Sequence, residues 1–349
     1  MDVSEISRSW DCRPVFFFIG PRFSTLFYPG SWQEKRLRGK TLRQWPTGEC
    51  AWIATSVIFP SVHLENKSEI LIVTAIKGDS EMLQSKRIVI KGAGDLATGV
   101  AARLWRSGFP VIMTEIDQPL TVRRTVSFSD GIYEGEVTVE DMTARRVQDR
   151  AEILKALDEG VIPMRADPEA KIVREIDAFA VIDAIMAKKN IGTRIDDAPF
   201  VVGLGPGFTA GKDVNALVET KRGHTLGQVI WEGSAIPNTG IPGKVKGFGA
   251  RRVIRAPAPG IFKGILSIGT HVEEGDIVAY AGDTPIPAPI SGILRGLLHD
   301  GIPVERGLKS GDVDPRDIRE NCWIISDKAL AIGGGVLEAI LMHIKQTCS

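Results

Sequence analysis

Residues 86–99 read KRIVIKGAGDLATG, and this stretch decides the expected fold class. Residues 87–91 form a short apolar run suited to a buried strand. Gly92-Ala93-Gly94 then makes a tight loop. A helix follows through Arg106, with Leu96, Val100 and Leu104 recurring every four residues on one stripe. Gly108 ends that helix and Pro110 opens a second strand over residues 111–114. Strand, glycine loop, helix and strand make a βαβ opening, which favours a parallel sheet. The expectation is an α/β fold with a parallel sheet over residues 82–254. Further along, residues 148–157 read as a helix. Residues 161–164, 178–186 and 199–203 read as strands, the last running into Gly203-Leu204-Gly205-Pro206-Gly207.

Outward from this core the chain changes character. Residues 255–316 are rich in Gly, Pro and Val and carry a repeat at an offset of 32 residues. Gly260, Gly264, Gly269, Val272, Glu273 and Gly275 map onto Gly292, Gly296, Gly301, Val304, Glu305 and Gly307. Two such halves pair as a small β-sandwich, since neither buries its apolar face alone. Residues 317–349 return to α/β character: residues 323–325 as a strand, Gly333-Gly334-Gly335 as a loop, residues 336–344 as a helix. Residues 1–81 hold Trp10, Trp32, Trp45 and Trp52 but little periodicity, and only residues 69–76 read as a strand. No second methionine precedes Met82. The front segment therefore reads as an over-long start, with a small accessory region as the alternative.

Composition narrows the function classes. Lys+Arg and Asp+Glu are balanced at 43 each among 349 residues, which argues against a nucleic-acid binder or a polybasic membrane binder. At 43% hydrophobic residues the chain can bury a sizeable core. Cys12, Cys50, Cys322 and Cys348 form no C-x-x-C pair, which excludes zinc-ribbon and thioredoxin-like readings. The apolar runs fall short of the roughly 20 residues that span a bilayer, and Met1-Asp2-Val3-Ser4-Glu5 lacks a basic leader, so the expected location is cytoplasmic. The five histidines are scattered without metal-ligand spacing, and no G-x-S-x-G elbow is present, so no metal site and no catalytic residue is assigned.

Two glycine loops carry the candidate chemistry. Gly92-x-Gly94-x-x-Ala97 has the spacing that lets a phosphate approach backbone N–H groups at a helix start, and Glu115 stands where a ribose-binding acid would. Asp95 opposes a phosphate there, although it suits a helix cap. The second loop, Gly203, Gly205 and Gly207, is not a Walker A motif, because Asp213 follows Lys212 where a hydroxyl is needed. Its N–H groups can still form an anion nest. Glu219, Arg222 and His224 follow. Arg222 offers a fork of donors to an oxyanion, His224 another donor, and Glu219 an acceptor for a heterocycle N–H. The alternatives are a capped βα turn for the first loop and a solvated salt-bridged turn for the second. Cys322 reads as a buried strand cysteine rather than a redox thiol.

Five segments then occur in order: KGAGDLATG at 91–99, GLGPGFTAG at 203–211, ETKRGH at 219–224, GDVDPR at 311–316 and ISDK at 325–328. Together they resemble the YqeB family, described as a selenium-dependent molybdenum hydroxylase system protein. That family is similar in role to xanthine dehydrogenase accessory proteins. The resemblance implies a Rossmann-like parallel sheet over residues 82–254 and a maturation role: binding and delivering or modifying molybdenum cofactor (molybdopterin) or its nucleotide form. The implied partners are a molybdenum hydroxylase apoenzyme and other cofactor-maturation proteins. The β-module resembles the lipoyl/biotinyl hammerhead, but no lysine lies between Lys263 and Lys309, so the module lacks the modifiable lysine of a carrier. Two further functions stay open on the residues alone: an NAD(P)-dependent oxidoreductase using Gly92, Gly94 and Glu115, and a non-catalytic interaction scaffold.

Overall fold

A computed structural model describes residues 33–37, 40–44, 82–238, 240 and 245–347. The chain divides into two compact units, Met1–Asp79 and Ser80–Ser349. In the first, β1 (Gln33–Leu37) pairs antiparallel with β2 (Lys40–Gln44). The strand expected over residues 69–76 lies outside the described residues.

The second unit is built on a nine-stranded sheet. Its strands are β3 (Ile88–Lys91), β4 (Val111–Glu115), β5 (Glu136–Val139), β6 (Met142–Arg146), β7 (Ile162–Ala166), β8 (Ala180–Asp183), β9 (Phe200–Leu204), β10 (Ala216–Val218) and β11 (Val229–Ile230). They lie in the order β11-β10-β9-β8-β3-β4-β7-β6-β5. Side chains alternate between two buried faces, as the pleat requires. Ile88, Ile90, Val111, Met113 and Ile182 enter one core, while Val89, Ile112, Val181 and Val201 enter another. The first core lies under helices α1 (Asp95–Arg106) and α5 (Asp327–Thr347). The second includes residues of α3 (Arg150–Asp158) and α4 (Ile172–Glu175). One short helix, α2 (Gly131–Glu134), precedes β5.

This arrangement corrects the expected Rossmann-like parallel sheet with one inserted hammerhead-like module. The sheet is mixed: β5 pairs antiparallel with β6 at one edge, and β11 antiparallel with β10 at the other. The β5–β6 hairpin also sends β7 back between β4 and β6, so sequence order and spatial order part company. No helix bridges β8 to β9 or β9 to β10. The repeat region forms two four-stranded antiparallel sheets, β12-β19-β17-β14 and β16-β15-β13-β18. Their strands are β12 (Val253–Arg255), β13 (Gly260–Gly264), β14 (His271–Val272), β15 (Ile277–Ala281), β16 (Thr284–Pro287), β17 (Gly292–Leu297), β18 (Pro303–Val304) and β19 (Lys309–Asp314). The 32-residue offset is visible in β13 against β17, β14 against β18 and β15 against β19. Equivalent strands fall in different sheets, so each sheet draws on both halves. Phe262, Val278, Leu294 and Val313 are buried between them.

Two terminal expectations also change. Residues 323–325 form no strand: a 3-10 turn, Arg319–Cys322, leads through them into α5. Cys322 is buried in that turn, and burial pushes its thiol up from the ordinary range. The three glycines expected to form a loop lie inside α5. A Cβ on Gly333 would stand 2.5 Å from the Gly99 carbonyl oxygen, and one on Gly335 2.1 Å from that of Gly227. Their absence of side chain lets α5 lie directly on α1 and on the segment after β10.

Candidate functional site

The sheet brings both glycine loops to its carboxyl edge. Gly92 has φ +94°, and a Cβ there would come within 3.2 Å of Ala184 and Ile185, so the loop after β8 lies directly on it. Beneath this contact Lys91 Nζ donates to Thr193 Oγ1 (2.5 Å), which donates to Asp183 Oδ2 (2.5 Å), and all three residues are buried. Gly94 caps α1 without any side-chain cap bond, and Asp95 occupies the first turn rather than the cap. In the second loop, Gly205 packs against Thr220 and Gly207 against the Lys189 backbone, while Gly203 sits under Phe208 and Leu217.

The two candidate carboxylates are turned inward. Ala93 N–H donates to Glu115 Oε2 (2.9 Å) and Ile116 N–H to Oε1 (2.9 Å). Burial pushes the Glu115 carboxyl up, and these two bonds draw it back down. Glu115 therefore pins the first loop, and a ribose contact would require it to exchange the Ala93 bond. Glu219 is fully engaged by backbone. Thr220 and Lys221 N–H groups donate to Oε1 (both 2.7 Å) and Ile236 N–H to Oε2 (2.8 Å). It shapes the turn that carries Arg222 and His224, and both of those side chains are exposed.

Arg222 reaches the start of α5. Its Nη1 and Nη2 donate to Asp327 Oδ2 and Oδ1 at 2.8 and 2.9 Å. This fork pulls the Asp327 carboxyl down to about 2. Lys328 stands next, half-buried; its backbone N–H donates to the Asp327 carboxylate, while its ammonium makes no hydrogen bond or ion pair to another described residue, and burial, then Arg222, lower its affinity for a proton, with Asp95, Glu219 and Asp327 opposing them. Arg316 lies in the same field and grips Asp314 with Nε to Oδ1 (2.9 Å) and Nη2 to Oδ2 (2.6 Å). Asp314 is also met by Arg295 Nη1 (3.3 Å), and Arg252 pairs with Asp312. Arg123 spans from Asp95 (3.4 Å) to the Asn321 carbonyl (3.3 Å). The buried Nε atoms of Arg123, Arg252 and Arg295 have no hydrogen-bond partner among the described residues.

A chain of alternating charge thus runs from the first helix through the β-sandwich to α5 and the turn after β10. It draws on segments 91–99, 219–224, 311–316 and 325–328, with 203–211 leading into β10 beside them. The sequence reading placed the glycine loops and Arg222 here. It gave no role to Arg123, Asp314, Arg316, Asp327 or Lys328, although two of the five segments contain four of those residues. The described clefts lie elsewhere. One of about 820 Å³ opens at the amino ends of the strands beside Lys86, Phe179 and Asp196. One of about 480 Å³ lies between Arg124 and residues 264–268 and 297–300 of the sandwich. Among the described residues, no group of three or more His, Cys, Asp or Glu side chains is placed to hold a metal ion. No described helix is long and apolar enough to cross a membrane.

Fold and junction together define a mixed α/β domain with a β-sandwich keyed into its carboxyl edge by charge. The chain is 51% identical over 259 residues to "Uncharacterized protein YqeB" of Escherichia coli (strain K12), a stretch covering 74% of this chain. The chain spans about half (48%) of the length of that relative, so the likeness is to a part of it. No protein-family model matches. Among solved structures, an aspartoacylase family protein from Mesorhizobium loti is similar at 14% identity and a TM-score of 0.23, covering 65% of this chain and 84% of that one. A succinylglutamate desuccinylase/aspartoacylase from Rhodobacter sphaeroides reaches 16% and 0.19, covering 65% and 86%. TcdA (CsdL) reaches 12% and 0.30, covering 82% and 100%.

Proposed function

We propose that this chain is an accessory protein of a selenium-dependent molybdenum hydroxylase system, which binds molybdenum cofactor or its nucleotide form and delivers or modifies it. The observation that supports this reading is the gathering of the five family-resembling segments at one edge of the sheet, although they are spread from residue 91 to residue 328. The donor set there suits an anionic cargo: Lys328 belongs to the first turn of α5, Arg222 pairs with Asp327 in that turn, and Arg316 acts on Asp327 through its charge. The molybdenum hydroxylase apoenzyme and other cofactor-maturation proteins are the partners this role calls for, and a cytoplasmic location goes with it.

The test is binding. Purified protein is incubated anaerobically with molybdopterin or its nucleotide form, separated by gel filtration, and analysed for retained pterin and molybdenum. Stoichiometric retention is expected, with loss on Arg222→Ala. Absence of retention of both forms overturns the proposal.

A further inference from the structure

The cations of the junction are unequally engaged. Arg123 is occupied by Asp95 and Asn321, Arg316 by Asp314, and Lys91 by Thr193. Lys328 has no such partner among the described residues. Arg222 holds Asp327 in the planar two-bond geometry that a guanidinium also offers a phosphate. Burial does not enforce this pair. The Arg222 side chain is 52% exposed and that of Asp327 75%, so both have water as an alternative partner. Asp327 belongs to the first turn of a 21-residue helix, where a rotation about its own side-chain bonds carries the carboxylate away without moving the backbone.

We infer that Arg222 and Lys328, backed by the charge of Arg316, form a docking point for a phosphate or pyrophosphate group, and that Asp327 fills it as a built-in competitor. This rests on reading the carboxyl edge as the ligand site and names the group recognised there. With Asp327 turned to water, Arg222 and Lys328 present two positive charges to an incoming dianion, and Arg316 adds long-range attraction. With no anion present, Asp327 neutralises Arg222 and keeps the site from holding weakly charged solutes. Exchange therefore swaps one acceptor for another on the same guanidinium, and the ligand must be charged enough to outcompete a tethered carboxylate.

The probe is inorganic pyrophosphate, titrated calorimetrically into the full chain. Asp327→Asn, which keeps the side-chain shape, is expected to bind about fivefold more tightly than wild type. Lys328→Ala and Arg222→Lys are each expected to bind about tenfold more weakly, with melting temperatures that confirm folding. The docking point is overturned if Asp327→Asn binds no more tightly, if Lys328→Ala binds as well as wild type, or if no folded form binds pyrophosphate. Should pyrophosphate follow the expected order while molybdopterin fails to bind, the docking point stands and the cofactor reading falls. Should molybdopterin bind all four forms equally, the cofactor reading stands and the docking point falls.

Discussion

The Arg222–Asp327 pair sets the pH behaviour of one corner of the molecule. Asp327 has its carboxyl pulled down to about 2 by the Arg222 fork, below an ordinary aspartate near 3.9. A depressed carboxyl stabilises the fold above the unfolded value and loses that contribution as pH falls through the folded one. Wild type should therefore exceed Asp327→Asn in stability by less than about 1 kcal/mol at neutral pH, because the pair is exposed. Denaturant melts from pH 5 to pH 2 should show the two proteins converging; a gap that stays constant to pH 2 contradicts the pairing. Glu115 behaves differently. Its carboxylate accepts the Ala93 and Ile116 N–H groups, so Glu115→Ala leaves the loop donor at Ala93 without its acceptor and is expected to cost about 1–3 kcal/mol. Chemical denaturation measures this, and a loss under about 0.5 kcal/mol would show that water replaces the carboxylate freely. At this scale the sequence was half legible. That Arg222 sits in a polar turn is a local matter, but its partner lies 105 residues away, and no spacing rule connects them. Glu115 and Glu219 have the right residue type at the right place for ligand contact, yet nearby backbone N–H groups claim them first.

Elements were legible where the signal was local and lost where tertiary contact decided. The strand at residues 88–91, the glycine loop and α1 follow from a short apolar run, turn chemistry and the four-residue apolar stripe, and each lies within two residues of its expected place. The three glycines of α5 mislead for a physical reason. Consecutive glycines normally favour a loop, because each costs a helix about 1 kcal/mol relative to alanine. Here two of them permit helix approaches that a methyl group forbids, and the packing outweighs that cost. The same geometry separates the three residues experimentally. Gly333→Ala places a Cβ 2.5 Å from the Gly99 oxygen and 2.8 Å from Arg103 Cγ, and overpacking of this kind is expected to cost about 1–3 kcal/mol. Gly334 has nothing within 4 Å, so Gly334→Ala should instead stabilise by up to about 1 kcal/mol. Thermal melts of the two variants decide the matter: shifts of the same sign would mean that α5 does not lie on α1 as described.

Within residues 80–349, the β-sandwich and the nine-stranded sheet are joined by ring stacking, hydrogen bonds and close backbone packing. His299 of the sandwich stacks on Tyr133 at 4.0 Å, Arg124 Nε donates to the Leu297 carbonyl, and Gly296 lies against the Val122 backbone. The charge chain completes the joint, and Asp314 is its most buried acid. Its side chain is 1% exposed and it takes bonds from Arg316 and Arg295. Although burial alone would raise it, these bonds hold its carboxyl below the ordinary range. Asp314→Ala removes the acceptor while leaving Arg295, 12% exposed, inside with an Nε that already has no partner. Arg316 is 39% exposed and can turn to water, so the loss should sit at the lower end of the range for a broken buried pair, about 3 kcal/mol. Because Asp314 ends β19, whose neighbours are β12 and β17, the damage should be regional. Hydrogen exchange should quicken in those three strands while β3, β4 and β8 keep their protection. The charge chain would then be a tie between two otherwise self-sufficient cores, each with its own apolar interior. Equal loss of protection throughout the nine-stranded sheet would show instead that the two cores unfold as one, with the junction inside a single cooperative unit.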